Sequence, residues 1–156
     1  MKIGIMGGTF NPIHNAHLLI AEMAREEYGL DRVIFITDGN PPHKSANVTA
    51  KQRFEMTHIA IADNSAFEED DFEINRSEKS YTVNTLGYLK EKYPNDDLFF
   101  IIGEDSLNDF DKWYKPDKIL KMCSLLVFPR KSLKSLTETI KAVKEKMNGR
   151  IFPISA

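Results

Sequence analysis

Short apolar runs of strand composition alternate with stretches of helical periodicity along most of this chain, and that alternation leaves few folds open. It argues for parallel strands, because parallel neighbours cannot be joined by a tight turn and need a crossover, usually a helix. Strands are predicted at Lys2–Met6, Val33–Thr37, Asp71–Ile74, Leu98–Ile102, Leu125–Phe128 and Arg150–Ile154. Ile20, Met23, Ala24 and Tyr28 mark the inward face of a first helix, which Gly29 ends. A second helix starts near Thr49, where Gln52 completes a capping-box pattern, and continues to about Ala62. Leu86, Leu89 and Tyr93 mark a third, stopped by Pro94, and the stripe Leu133, Leu136, Ile140, Val143, Met147 marks a last one. With 156 residues, 42% of them hydrophobic and 28% charged, the chain reads as one α/β domain, an open parallel sheet with helices on both faces.

In such sheets ligands bind beyond the carboxyl ends of the strands, so the segments that follow the strands should carry the chemistry. The first of them is Gly7-Gly8-Thr9-Phe10-Asn11-Pro12-Ile13-His14-Asn15-Ala16-His17. Paired glycines let the backbone approach a ligand closely, and the start of the next helix favours an anion through its free N–H groups and dipole. His14 and His17, three apart, fall on one side of the first helical turn, where both can donate to phosphate oxygens. A glycine pair after a strand is ordinarily only a turn; the combination with His-x-x-His is what points to a triphosphate site.

Three further segments are chemically unusual. Asp38-Gly39-Asn40-Pro41-Pro42-His43-Lys44 follows the second strand, and its stiff diproline presents a histidine and a lysine. Ser80-Tyr81-Thr82-Val83-Asn84-Thr85 opens the third helix with hydroxyls that can cap it. Gly103-Glu104-Asp105 leads to Phe110, Trp113 and Tyr114, and this single tryptophan lies in a polar stretch where stacking on a ligand competes with packing as its role. His58 lies mid-helix and reads as structural.

The net charge of −2, without a basic stripe, argues against a nucleic-acid partner. No apolar run approaches the roughly 20 residues of a membrane helix and no signal-peptide pattern opens the chain, so a cytoplasmic protein is expected. Cys123 reads as a buried thiol. The sequence leaves a homo-oligomer open.

Gly7 to His17 resembles the T/HxGH signature of the nucleotidyltransferase superfamily, with Ala16 where that family has glycine and Asn11 where its adenylyltransferases usually have aspartate. The run GGTFNPIHNAH, together with PPHK, SYTVNT and GEDSLNDFDKWYKPDKI, resembles the bacterial nicotinate-nucleotide adenylyltransferases across nearly the whole chain. The resemblance implies a Rossmann-like fold and adenylyl transfer from ATP to nicotinate mononucleotide. It implies that Gly7, Gly8, Thr9 and Phe10 hold ATP phosphates with His14 and His17, which are the catalytic pair, and that Gly103 and Asp105 hold the adenosine ribose. Thr85 and the backbone at Tyr114 would take the nicotinate carboxylate, Trp113 would stack on the ring, and Asn40, His43, Lys44 and Arg130 would lie near the mononucleotide. Lys131-Ser132 stands after Arg130 where the family has Pro-Gly. Ile154-Ser155-Ala156 matches the first residues of the family's ISxTxxR motif, which adds Ser155 to the ATP side. It implies one nucleotidyltransferase domain over 1–156 without the family's C-terminal segment. Mg²⁺ is expected on the phosphates, with no protein cage. The rivals are a phosphopantetheine adenylyltransferase, a dinucleotide-binding oxidoreductase and a catalytically silent nucleotide sensor.

Overall fold

The computed structural model describes residues 1–8, 10, 13–39, 49–76 and 81–155. Six parallel strands form one sheet: β1 (Lys2–Gly8), β2 (Arg32–Thr37), β3 (Phe67–Asp70), β4 (Asp97–Gly103), β5 (Ser124–Phe128) and β6 (Ile151–Pro153), in the order β3-β2-β1-β4-β5-β6. The helices are α1 (Asn15–Tyr28), α2 (Ala50–Ile61), α3 (Thr82–Lys92), α4 (Glu104–Asn108), α5 (Pro116–Met122) and α6 (Leu133–Lys146), with a 3-10 turn at Phe110–Lys112. The central strands are buried on both faces, which is why β2 and β5 read as continuous apolar runs rather than alternating ones.

The strand periodicity assigns the two faces. Ile3 and Ile5 of β1 point into a core shared with Leu86 and Leu89 of α3, Leu107 of α4, Ile119 and Leu120 of α5, and Leu136 and Ile140 of α6. Met6 points to the opposite core, with Ala21 and Ala24 of α1, Ile61 of α2 and Phe35 of β2. Helices therefore cover both faces, as the sequence predicts. Pro153 sits on edge strand β6, where its missing N–H removes no ladder bond. Cys123 is buried as expected, and burial pushes its thiol up to about 12. Among the described residues no helix is long and apolar enough to cross a membrane.

The third strand departs from the sequence expectation. It lies at Phe67–Asp70, and Phe72 to Asn75 form a turn where the alternation of residues predicts a strand over Asp71–Ile74. Asp70 accepts from the Phe72 N–H at 2.9 Å, a local turn that ends the strand. The same buried carboxylate takes Tyr88 Oη at 3.0 Å and Lys92 Nζ at 3.1 Å. Phe72 then stacks on Tyr88, with centroids 4.2 Å apart and planes 15° apart, so its apolar surface is used outside the sheet. The structure also adds α4, the 3-10 turn and α5. Leu107, Phe110 and Trp113 recur at a spacing of three, a helical signal hidden among Asp109, Asp111 and Lys112.

Candidate active site

The strand order turns around between β1 and β4, and the register shows a cleft opening there. β1 pairs with β4 only as far as Met6 opposite Ile101. Beyond that point β1 follows β2 to Gly8 opposite Thr37, while β4 follows β5 to Gly103 opposite Phe128. The two strands thus part at their carboxyl ends, the crevice where open α/β sheets bind ligands.

Two cavities occupy this crevice and share Gly7, Phe100 and Trp113 as their common wall. One, of about 240 Å³, is bounded by His17, Ile20, Gly103, Ser106 and Phe128. The other, of about 200 Å³, is bounded by Gly8, Asp38, Glu73, Thr82, Thr85 and Leu86. A Cβ placed on Gly7 would meet only the Phe100 ring, at 3.7 Å. The protein's own packing therefore tolerates a side chain at Gly7, and the space its absence leaves belongs to the cavities. At Gly8 the reason is internal, since a Cβ would lie 3.0 Å from the Phe10 ring. Phe10 has φ 49° and is buried against Phe35, with its ring edge-to-face on His17 at 5.2 Å. A bulky residue in the left-handed region is strained, so this loop conformation is held by packing around it.

His14 stands at the N-cap of α1 with extended backbone, and His17 is in the first turn of the helix. The His14 backbone N–H donates to His17 Nδ1 at 3.2 Å. In the neutral ring this places the proton on Nε2, the nitrogen left to donate to a ligand. The imidazoles lie 4.0 Å apart. Burial, and then the neighbouring His14, hold His17 below the ordinary histidine range. Ala16 is exposed.

In the second cavity, the Thr85 hydroxyl donates to Glu73 Oε2 at 2.6 Å. Burial pushes the Glu73 carboxyl up to about 7. Trp113 packs and also borders open space: its ring lies on Phe110 at 5.0 Å and Phe100 at 6.1 Å, and it lines both cavities. Tyr114 lies against Tyr81 at 4.6 Å, joining the segment after the 3-10 turn to the start of α3.

Two groups of expected residues fall differently. Asp105 and Arg130 meet each other, Nη1 to Oδ1 at 3.3 Å, and both side chains are exposed. The adjacent Glu104 accepts the Arg130 backbone N–H at 3.1 Å and the Ser135 and Thr139 hydroxyls at 3.2 Å each. Those bonds, led by the Arg130 N–H, hold its carboxyl below the usual range and tie α4 to α6. Ser155 stands apart from the histidines. Its N–H and hydroxyl both donate to Glu27 at 2.8 Å, ten residues along α1 from His17, or about 15 Å of helix. Thr9, Asn40, His43 and Lys44 lie outside the described residues, as do Asn11 and Ser80. Sequence reasoning missed Glu73 and Phe100. Glu73 sits between Phe72 and Ile74 in the run predicted as a strand, and only its isolation among apolar neighbours could have marked it.

Parted strand ends, a glycine-lined wall and an imidazole pair at a helix start define a class, the nucleotidyltransferases, and residues 5–154 match the family model described as cytidylyltransferase-like. Within that class the chain belongs to the nicotinate-nucleotide adenylyltransferase family. It is 47% identical over 144 residues to the "Probable nicotinate-nucleotide adenylyltransferase" of Citrifermentans bemidjiense, covering 90% of this chain and 67% of that protein. The similarly named protein of Pelobacter propionicus is 51% identical over 132 residues, covering 83% of this chain and 61% of that one. The chain thus spans about two thirds of the length of these relatives. Among solved structures, Plasmodium falciparum nicotinic acid mononucleotide adenylyltransferase complexed with NaAD superposes with a TM-score of 0.80 at 22% identity, over 99% of this chain and 75% of that one. The same enzyme complexed with APC gives 0.76 at 21%, over 99% and 74%. At these identities the likeness is one of fold.

Proposed function

We propose that this chain transfers the adenylyl group of ATP to nicotinate mononucleotide, forming nicotinate adenine dinucleotide and releasing pyrophosphate. The observation that carries the reading is the pair of cavities sharing one wall at the β1–β4 parting, one fronted by His17 and the other by Thr85 and Trp113. ATP takes the His17 side and the mononucleotide the Thr85 side, so the two phosphates meet over Gly7 and Gly8. A phosphate monoester with its second pKa near ~6 is mostly a dianion at neutral pH and attacks without a general base. The chain's task is then to align two anions that repel one another and to stabilise charge as it moves to pyrophosphate.

His17 donates through Nε2, His14 lies beside it, and the glycine backbone allows close approach. Thr9, Asn40, His43 and Lys44 complete the phosphate contacts in this reading, with Gly103 and Asp105 at the ribose, Arg130 near the mononucleotide and Tyr114 at the nicotinate carboxylate. In this reading a Mg²⁺ held mainly by phosphate oxygens and water accompanies the triphosphate. When bound, that ion neutralises triphosphate charge. In this reading the protein draws on ATP and works in the cytoplasm.

The direct test is pyrophosphate release from ATP and Mg²⁺ with nicotinate mononucleotide, nicotinamide mononucleotide and phosphopantetheine offered separately. Turnover should be greatest with the first. Preference for phosphopantetheine would move the chain to a different acceptor class, and silence with all three would leave a nucleotide binder. A second expectation concerns Trp113. Stacking is worth roughly 1–3 kcal/mol, so Trp113→Ala should raise the mononucleotide KM by about 5- to 150-fold, with a smaller change for ATP. An ATP KM that moved as far as the acceptor KM would assign the indole to the adenosine side.

A further inference from the structure

The acceptor cavity contains an ionisable group for which adenylyl transfer itself has no use. Glu73 contributes a carboxyl to a space it shares with Asp38, Thr82 and Thr85 and that is otherwise walled by glycine and by apolar side chains such as Leu86, Phe100 and Trp113. One of its oxygens is fixed by the Thr85 hydroxyl at 2.6 Å, while its backbone carbonyl abuts Gly39 at the end of β2. Resting on the acceptor reading above, we propose that Glu73 is a specificity-determining residue whose charge state selects between an anionic and a neutral substituent on the acceptor's pyridine ring.

Donor and acceptor capacity makes the selection. The Thr85 proton serves Oε2, so the other oxygen determines what Glu73 offers a ligand. Protonated, it is a donor and can bind a carboxylate. Ionised, it can only accept, which repels a carboxylate and suits the N–H₂ of an amide. The two states are close in free energy at neutral pH. Burial and the nearby Asp38 on the β2 side favour the protonated form; the Thr85 hydroxyl on α3 and Arg76, at the end of its own turn, favour the ionised one. Among the described residues the other side chains facing the cavity from β1, β4 and α3 are uncharged. With the carboxyl titrating at about 7, its protonated fraction falls about tenfold from pH 6 to pH 8.

The experiment is calorimetric binding of nicotinate and nicotinamide mononucleotides to the full chain and to Glu73→Gln, at pH 6, 7 and 8. The ratio of the two affinities cancels the titration of the shared phosphate and of the histidines. In the wild type the preference for the acid should fall by about tenfold over this range if the amide binds both charge states equally, and by up to about a hundredfold if the amide binds only the ionised form. In Glu73→Gln, whose amide donates at every pH, it should stay level and exceed the wild-type value at pH 8. Parallel slopes in the two proteins, with binding intact, overturn the proposal alone. Failure of both mononucleotides to bind overturns the acceptor assignment beneath it.

Melting temperatures supply a readout that needs no ligand. The folded state holds the Glu73 proton more tightly than the unfolded chain does, so its contribution to stability is full below the ordinary carboxylate range and is lost as pH rises through about 7. Glu73→Gln should therefore gain on the wild type between pH 6 and 8. A constant difference would mean that Glu73 does not titrate there, and would overturn the proposal as well.

Discussion

Replacing His17 by alanine lowers turnover on the order of 10²-fold or more, the usual cost of removing one preorganised transition-state donor, and leaves the fold in place. The expectation rests on the orientation of the ring. With Nδ1 engaged by the His14 N–H, the remaining donor faces outward from a half-buried imidazole that borders the cavity also lined by Gly7 and Gly103. Alanine also deletes one capping hydrogen bond at the helix start, worth about 1 kcal/mol, too little to unfold a domain of this size. His17 is held below the ordinary histidine range in the free protein, so it awaits an anion in its neutral form; a triphosphate draws its proton affinity upward. Steady-state kinetics alongside a thermal melt separates the two effects. A loss of turnover below threefold would remove His17 from the reaction, and a collapsed melt would make it structural.

The class of fold is legible in the sequence because it depends on averages. Six apolar runs separated by helical stripes require a parallel sheet, and no single residue has to be read correctly for that conclusion to hold. The position of β3 is not legible, because Phe72 and Ile74 alternate with polar residues as a strand would. What ends the strand is Asp70, whose carboxylate collects the Phe72 N–H, Tyr88 and Lys92, and two of these three partners come from a helix many residues later. The capping box at Thr49 and the left-handed Gly29 are readable because their partners are local in sequence.

The candidate site divides in the same way. The Gly-Gly and His-x-x-His signals are local, and the structure brings Gly7 and His17 to one cavity. The ion pair between Asp105 and Arg130 joins α4 to the segment after β5, and the tie between Ser155 and Glu27 joins residues 128 positions apart, so no local pattern announces either. Glu73 is illegible for the same reason: a glutamate becomes chemically distinctive only when the fold buries it against Thr85.

Gly39→Ala should be the most disruptive small substitution in the described chain. A Cβ at Gly39 would lie 2.2 Å from the Glu73 carbonyl oxygen and 2.7 Å from Ile74 Cα. Both are backbone atoms, so no side-chain rotation relieves the overlap and either the end of β2 or the 73–74 turn must move. Forcing such an overlap costs about 2–3 kcal/mol, which for a domain of this size lowers the melting temperature by ~4–12 °C. Function should suffer beyond the loss of stability, because the same displacement carries Glu73 and its bond to Thr85 away from the acceptor cavity. Below the melting transition, Gly39→Ala should raise the mononucleotide KM several-fold more than the ATP KM, since the described atoms nearest a Cβ there belong to Glu73 and Ile74. An unchanged melting temperature would mean that β2 and the 73–74 turn are not in contact, and the acceptor wall would then have to be built differently. A lowered melting temperature with both KM values moving together would instead show that the strand end supports the whole crevice, and that its two halves cannot be perturbed separately from this position.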